Sequence, residues 1–158
     1  MAEVVVAGKV RESSRVILIK DDHLLVMHRN KFGDEFYALV GGGVDPGETP
    51  VQALYREVAE EASLTIANHR LVVIEDAGPK YGMQYIYVAD YVSGEPTLDA
   101  ASEELALNKV GLNLYNPMWL PCAELSGVDF RPRELQQLIV DCLVRGFPQQ
   151  PIELSIPG

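Results

Sequence analysis

Positive charge is scarce in this chain: 13 Lys and Arg stand against 23 Asp and Glu, for a formal net charge of −10. That deficit argues against a general binder of nucleic-acid backbone, whose affinity comes mostly from Lys and Arg at phosphates. A nucleic-acid polymer is therefore not the expected partner. If phosphates are the substrate, something must offset the repulsion, and a divalent metal is one such device. Cysteine is scarcer still. Cys122 and Cys142 are the only two, and they form neither a metal-type nor a redox-type spacing, so both read as ordinary thiols. No apolar run approaches the ~20 residues of a membrane span. The first residues, MAEVVVAGKV, lack the basic start and longer apolar stretch of a signal peptide, so a cytoplasmic protein is expected. Internal repeats, low-complexity tracts and linkers are missing as well.

What is present suits a globular fold. The 158 residues, 47% of them apolar, predict one domain over 1–158 with room for one full core. RVILIK (15–20) reads as a buried strand. Asp21 and Asp22 turn the chain, and HLLVMHRN (23–30) reads as the hairpin partner. A polar turn leads to a short strand, FYALV, and then to GGGVDPGE (41–48), a loop in which five of the eight residues are Gly or Pro. Thr49-Pro50-Val51-Gln52 combines an N-cap, a proline at the first helical position and a capping-box Gln. This predicts a helix from Thr49 or Pro50 to about Ala62, with Val51, Leu54, Val58 and Ala62 as its core stripe. RLVVIED and GMQYIYVADYV (82–92) read as strands, PTLDAASEELALNKVGLN as a polar loop, and LYNPMWLP (114–121) as another strand. Pro132 opens a last helix with a stripe of Leu135, Leu138, Ile139, Cys142 and Leu143, closed by Gly146 and Pro148. Residues 148–158 read as a loosely ordered tail. Interleaved strands and helices of this kind predict a mixed sheet covered by helices.

The stretch REVAEEASL (56–64) breaks local electrostatic rules. On a helix, Glu57 and Glu60 are i, i+3 and Glu57 and Glu61 are i, i+4, so like charges crowd one side at a cost of roughly 0.2–0.5 kcal/mol per pair. Glu60 and Glu61 also fall in the last turn, where the helix dipole disfavours anions. Two readings fit: a solvated acidic face, or a seat for a hard divalent cation such as Mg²⁺ or Mn²⁺, which prefers carboxylate oxygen. Helix spacing alone leaves both open. The Gly-rich turn before the helix adds a place where backbone can approach a ligand closely, although GGG alone is also just a tight turn.

Taken together, residues 42–64 resemble the Nudix hydrolase signature, G-x5-E-x7-R-E-U-x-E-E-x-G-U, where U is aliphatic. Gly42 opens it, Glu48 follows, then Arg56-Glu57, Val58, Glu60-Glu61 and Leu64. Ser63 stands where the family has Gly, at a helix exit that often requires positive φ. The resemblance implies an α/β protein of the α+β type, a mixed β-sheet sandwiched between α-helices. It also implies a divalent-metal-dependent hydrolase of the diphosphate linkage in nucleoside diphosphate derivatives, in which water attacks phosphorus. By motif position, Glu57, Glu60 and Glu61 are implied metal ligands, with one serving also as base. The Gly41 carbonyl joins them, and Arg56 and Glu48 form a pair that holds the acidic face in place. The implied cofactor is Mg²⁺ or Mn²⁺ and the implied partner a small nucleotide; homodimers are common in the family.

Other residues keep two readings each. Glu103 and Glu104 stand where the family often supplies a further acid, or are two solvated loop acids. Arg29, ending a strand before the Gly-loop, meets a phosphate or is a surface arginine. His28 reads as structural. Tyr81, Tyr85 and Tyr87 stack on a base or belong to the core. Intact Glu57, Glu60, Glu61 and Arg56 favour a hydrolase over a non-cleaving nucleotide sensor or an acidic scaffold with an accidental motif. The substrate is not legible: Pro79 and Tyr81 satisfy family rules of thumb for ADP-ribose and for dinucleoside polyphosphates, and these point different ways. Nucleotide sugars and modified nucleoside triphosphates remain in the set.

Overall fold

A computed structural model describes residues 11–98, Glu104, Asn108 and 111–155. The N-terminal MAEVVVAGKV stretch, Glu103 and the last three residues of the expected tail lie outside them.

β1 (Glu12–Lys20) and β2 (His23–Lys31) are joined by a turn in which Asp21 and Asp22 both take positive φ, 50° and 60°. Acidic residues tolerate that region, and two in succession match the turn to the strand twist. The hairpin pairs only at Ile19↔Leu24 and Lys20↔His23 before its strands part. β2 continues between β3 (Asp34–Ala38) and β7 (Asn113–Pro121). β1 continues between β4 (Val40–Gly43) on one side and, in parallel, β6 (Met83–Ser93) on the other. β6 pairs antiparallel with β5 (Thr65–Asp76). The result is a mixed sheet.

Helices cover both faces. α1 (Pro50–Ala62) has its capping box in place: Gln52 N–H donates to Thr49 Oγ1 at 3.1 Å, and Thr49 N–H to Gln52 Oε1 at 2.9 Å. Its Leu54, Val58 and Ala62 pack on Val16, Leu18, Leu25, Met27 and Tyr87. The alternate side chains, Ile17, Leu24, Val26 and Ile86, point the other way and meet Leu135 and Ile139 of the last helix, Arg133–Arg145. Period-2 alternation along the strands thus divides one sheet between two apolar clusters. Between them lie two short elements that the sequence did not announce, a helical turn α2 (Gly78–Tyr81) and a 3-10 turn at Cys122–Gly127; the last helix is α3.

Four expectations are corrected. The Gly-rich loop begins as a strand: Val40–Gly43 pairs with β1, with Arg15 opposite Gly41 and Ser14 opposite Gly42. Glycine allows this, because a Cβ at Gly41 would stand 2.1 Å from the Ser14 carbonyl oxygen. The tail after Pro148 is ordered at β8 (Ile152–Ser155), which adds in parallel to the open edge of β5, from Val73↔Ile152 to Asp76↔Ser155. Leu154 packs against the α3-side cluster there. Covering an open edge supplies the backbone partners that a free tail would leave in water. In the expected polar loop, Glu104 and Asn108 are helical; Glu, Leu and Ala around them are good helix formers. Tyr81 lies in α2, exposed, rather than in a strand, while Tyr87 is core and Tyr85 donates to Glu12 at 2.7 Å.

Ser63 occupies the helix exit in the left-handed region, φ 57° and ψ 34°. Its hydroxyl donates to the Thr97 carbonyl at 2.7 Å and accepts from Thr97 Oγ1 at 3.1 Å, while Thr97 N–H caps Ala62 at 3.0 Å. The serine thus trades backbone strain of about 1 kcal/mol against hydrogen bonds of about the same worth. Ser63→Gly is expected to unfold in urea within about 1 kcal/mol of the wild type. Ser63→Ala keeps the strain, loses the bonds, and should be less stable by about 1 kcal/mol. An alanine variant as stable as the parent would show that the Thr97 bonds contribute nothing.

Candidate active site

Arg56 is the hub of the motif. Its Nε and Nη2 donate to the two oxygens of Glu48 at 2.7 and 2.9 Å, and Nη2 also donates to the Gly43 carbonyl at 2.8 Å. Nη1 donates to Glu57 at 2.8 Å and to Glu60 at 3.1 Å. The forked contact with Glu48 clamps the loop to the helix, as a planar guanidinium can and an ammonium cannot. It holds the Glu48 carboxyl down at about 2, with help from the Asp45 N–H. The expected Arg56–Glu48 pair is therefore present, and Arg56 additionally spans two of the three helix glutamates.

Glu61 is different. It is only 7% exposed, on the same face as the apolar stripe, and accepts from the Gly41 N–H at 3.3 Å. Burial, then the charges of Glu104 and Glu57, push its carboxyl up to about 8, against the pull of Arg15. Burial also raises Glu57, outweighing its bond to Arg56. Burial thus works against the charged form of both, and Glu61 resists ionisation at neutral pH, which is the cost of burying charge without enough positive charge nearby. Glu104 acts on both, so the structure brings Glu104 into the cluster. Gly42 lies directly against it: a Cβ there would fall 2.5 Å from Glu57 Oε1.

Arg29 packs on β7. Its guanidinium lies over the Tyr115 ring at 3.7 Å and bonds Asn113 Oδ1 and the Leu114 carbonyl, all in β7. Cross-strand placement opposite Tyr115 and Phe36 explains this, because a cation stacks on an aromatic face. His28 stacks on Tyr37 at 4.8 Å and contacts Glu35, in line with a structural role. Sequence reasoning passed over Arg15, whose charge acts on Glu61, Glu75 and Glu57. The one available signal was a lone arginine opening an otherwise apolar strand.

The donor set is all carboxylate oxygen, the chemistry preferred by Mg²⁺ and Mn²⁺. Among the described residues, no three acidic, His or Cys side chains already converge on one point; Arg56 engages Glu57 and Glu60 instead. Burial disfavours the charged forms of Glu57 and Glu61, a cost that a bound cation would offset.

These shifts set the pH dependence of the metal-free protein. Glu61 at about 8 and Glu75, which burial raises to about 7, both sit above their unfolded values near 4.5. Each contributes most below pH 4.5, and its contribution is lost as pH rises through 7 to 8. Glu48 works in the opposite sense and weakens the fold as pH falls toward 2. Without metal, thermal unfolding is expected to show greater stability near pH 5 than near pH 8.5, by on the order of a few kcal/mol. Glu61→Gln should flatten that slope, and millimolar Mg²⁺ or Mn²⁺ should restore stability at the alkaline end. A flat profile, or no effect of either ion, would contradict the electrostatic account.

A model of the NUDIX domain matches residues 9–138. Over 80 residues, 51% of this chain, the sequence is 32% identical to the NAD-capped RNA hydrolase NudC of Edwardsiella ictaluri, covering 31% of that protein. The chain thus matches about a third of the length of such curated relatives. A NUDIX hydrolase from Nitrosomonas europaea superposes with a TM-score of 0.66 at 20% identity, over 88% of this chain and 92% of that one. An ADP-ribose pyrophosphatase from Streptococcus suis does so at 0.63 and 17%, over 94% and 100%. At those identities the likeness concerns the fold. With the domain model spanning most of the chain and including the whole of residues 42–64, the protein belongs to the NUDIX family, that of the Nudix hydrolases.

Proposed function

We propose that the chain acts as one catalytic domain that hydrolyses the diphosphate linkage of nucleoside diphosphate derivatives and requires Mg²⁺ or Mn²⁺. The observation that carries this reading is the packing of the Gly-loop on the carboxylates: Gly41 N–H donates to Glu61 at 3.3 Å, and a Cβ at Gly42 would fall 2.5 Å from the Glu57 carboxylate. A diphosphate brought to this loop lies at the only kind of surface where so acidic a helix can receive it, one that shares a cation with it.

Glu57, Glu60 and Glu61 would hold the metal, which supplies charge neutralisation at the phosphate oxygens and lowers the pKa of the attacking water. The chain's own residues do the rest. Arg56, fixed by Glu48 and the Gly43 carbonyl, keeps Glu57 and Glu60 on one side of the helix. Gly41 N–H orients Glu61. In the reaction the water oxygen bonds to phosphorus, the bridging P–O bond breaks, and the departing phosphate keeps the bridging oxygen. The water proton passes to a carboxylate, for which Glu57, Glu60, Glu61 and Glu104 are the groups at hand. Positioning and charge neutralisation account for most of what phosphoryl transfer needs.

The NudC relative is named for NAD-capped RNA and the S. suis structure for ADP-ribose. NAD and ADP-ribose share a diphosphate between two ribosyl groups, which places that class first in a screen. No helix of the described residues is long and apolar enough to cross a membrane.

The test is a mass-spectrometric panel of ADP-ribose, NAD⁺, NAD-capped RNA, nucleotide sugars, dinucleoside polyphosphates and oxidised nucleoside triphosphates, each with Mg²⁺ and with Mn²⁺. Hydrolysis of at least one member is expected, with loss on chelation and recovery on adding metal. Glu60→Gln and Glu61→Gln should each lower kcat by roughly 100-fold or more while circular dichroism stays unchanged. Turnover that survives full chelation, or a fully active double variant, would sink the assignment.

A further inference from the structure

The sheet face that meets α3 is apolar except at one end. There Arg15 of β1, Gln84 of β6 and Glu75 of β5 form a polar group beside the core. Gln84 and Glu75 are cross-strand partners and are 5% and 3% exposed. Arg15 Nε donates to Gln84 Oε1 at 2.8 Å, and Arg15 Nη1 donates to the Leu39 carbonyl at 3.2 Å. Gln84 is itself locked by donating to the Tyr81 carbonyl at 2.9 Å. Glu75 Oε2 is buried with no hydrogen-bond partner among the described residues. Glu75 and Arg15 feel each other's charge without forming a hydrogen bond. Glu134, from the first turn of α3, opposes ionisation of Glu75 from the other side. An orphaned buried carboxyl oxygen is expensive, so a purely structural cluster would be expected to pair it with the arginine.

The group adjoins the candidate active site through Gly41. Arg15 is the register partner of Gly41, and a Cβ on Gly41 would come within 2.7 Å of Arg15 Cγ. Gly41 therefore packs directly on Arg15 while its N–H donates to Glu61, so one residue of β4 touches both. The two arginines divide the acidic cluster. Arg56 serves Glu48, Glu57 and Glu60. The charge that pulls on Glu61 is that of Arg15. Two of the five guanidinium N–H donors of Arg15 have acceptors among the described residues, the residue is half-buried, and burial pulls its guanidinium below its ordinary value. Glu75 thus attracts the guanidinium from beneath without consuming its donors. An arginine fixed in this way, with N–H groups that have no acceptor among the described residues, is pre-organised for an anion.

We propose that Arg15 contacts the substrate, donating from its unspent guanidinium edge to a phosphate oxygen of the diphosphate, and that Gln84 and Glu75 are the positioning residues that hold it there. This rests on the diphosphate reading above. It assigns to Arg15 the phosphate contact that the sequence suggested for Arg29, which the structure ties to β7.

The experiment separates metal from phosphate. Mn²⁺ binding is followed by electron paramagnetic resonance without nucleotide, and ADP binding to the Mn²⁺-loaded protein by calorimetry. Arg15→Gln is expected to weaken ADP binding by about tenfold to a hundredfold, the worth of a charge-assisted hydrogen bond, and to leave Mn²⁺ affinity within about twofold, well below that range. Arg15→Lys keeps a positive charge over Glu75, and with it the fold, but lacks the planar fork; several-fold weaker ADP binding is expected. Gln84→Leu and Glu75→Gln should each weaken ADP binding in the parent and add nothing in the Arg15→Gln background, the signature of residues that act through Arg15. Arg29→Gln should leave ADP affinity unchanged. Undiminished ADP affinity in Arg15→Gln and Arg15→Lys overturns the proposal, as does an equal loss of Mn²⁺ affinity, which would make Arg15 only a partner of Glu61. If the parent binds neither Mn²⁺ nor ADP, the functional reading itself falls.

Discussion

Two missing side chains govern the active end of this molecule. At Gly41 a Cβ would collide with the Ser14 carbonyl of β1, and at Gly42 with the carboxylate of Glu57. Without those atoms β4 can lie against β1 on one side and α1 on the other. Strand, loop and helix then meet at one place, and the helix acids come up against loop backbone. Ser14 Oγ, donating to the Pro50 carbonyl at 2.7 Å, ties the start of α1 to the same strand. A side chain at either glycine would wedge these elements apart and separate the Gly41 N–H from Glu61. The glycines act here through the space they leave, more than through chain flexibility.

That close approach creates an electrostatic problem, which two arginines divide between them. Arg56 lies on the solvent side and binds carboxylates by direct, forked contacts, so Glu48 stays well below the ordinary carboxylate range. Arg15 approaches from the sheet and acts on Glu61 through space, where burial still dominates. The difference follows from dielectric and geometry: the forked Arg56 contact and the Asp45 N–H outweigh desolvation at Glu48, whereas at Glu57 and Glu61 desolvation wins. The acidic cluster is therefore graded, running from an ionised Glu48 in the loop to a Glu61 on the helix that resists ionisation.

Much of this was legible in the sequence, for local reasons. The α1 boundaries came from Thr49, Pro50 and Gln52, whose capping box depends only on neighbouring residues. The three glutamates stood out because their repulsion is a property of helical spacing. The positive φ expected at Ser63 is present, and what compensates it, Thr97, lies far along the chain and could not be read from the motif. The failures were of the same long-range kind. β8 exists because β5 has an open edge, which depends on sheet order. Register likewise places Arg29 opposite Tyr115 and Arg15 opposite Gly41, neighbours that no local pattern names. The burial of Glu61 beside Val58 and Ala62 depends on how α1 is rolled against the sheet, which periodicity gives only to within a residue or so.

The burial of Glu61 and Glu75 also bears on why such a site persists. Marginal domain stability is about 5–15 kcal/mol, and carboxyls raised to about 8 and about 7 withdraw an appreciable share of it at neutral pH. A helix selected for stability alone would carry an apolar residue at the Glu61 position, next to Val58 and Ala62. Any cation that binds the folded carboxylates and not the unfolded chain returns stability in proportion to the logarithm of its concentration over its dissociation constant. A cation bound at the acidic face would therefore couple to folding: the same burial that weakens the metal-free protein would strengthen each electrostatic contact to it, because both effects follow from one low local dielectric. Glu75 extends this logic to the back of the site. Its unpartnered oxygen is tolerated as long as Arg15 remains above it. Removing that arginine would leave an uncompensated carboxyl beside the α3-side core, which makes Arg15 costly to lose whatever it binds.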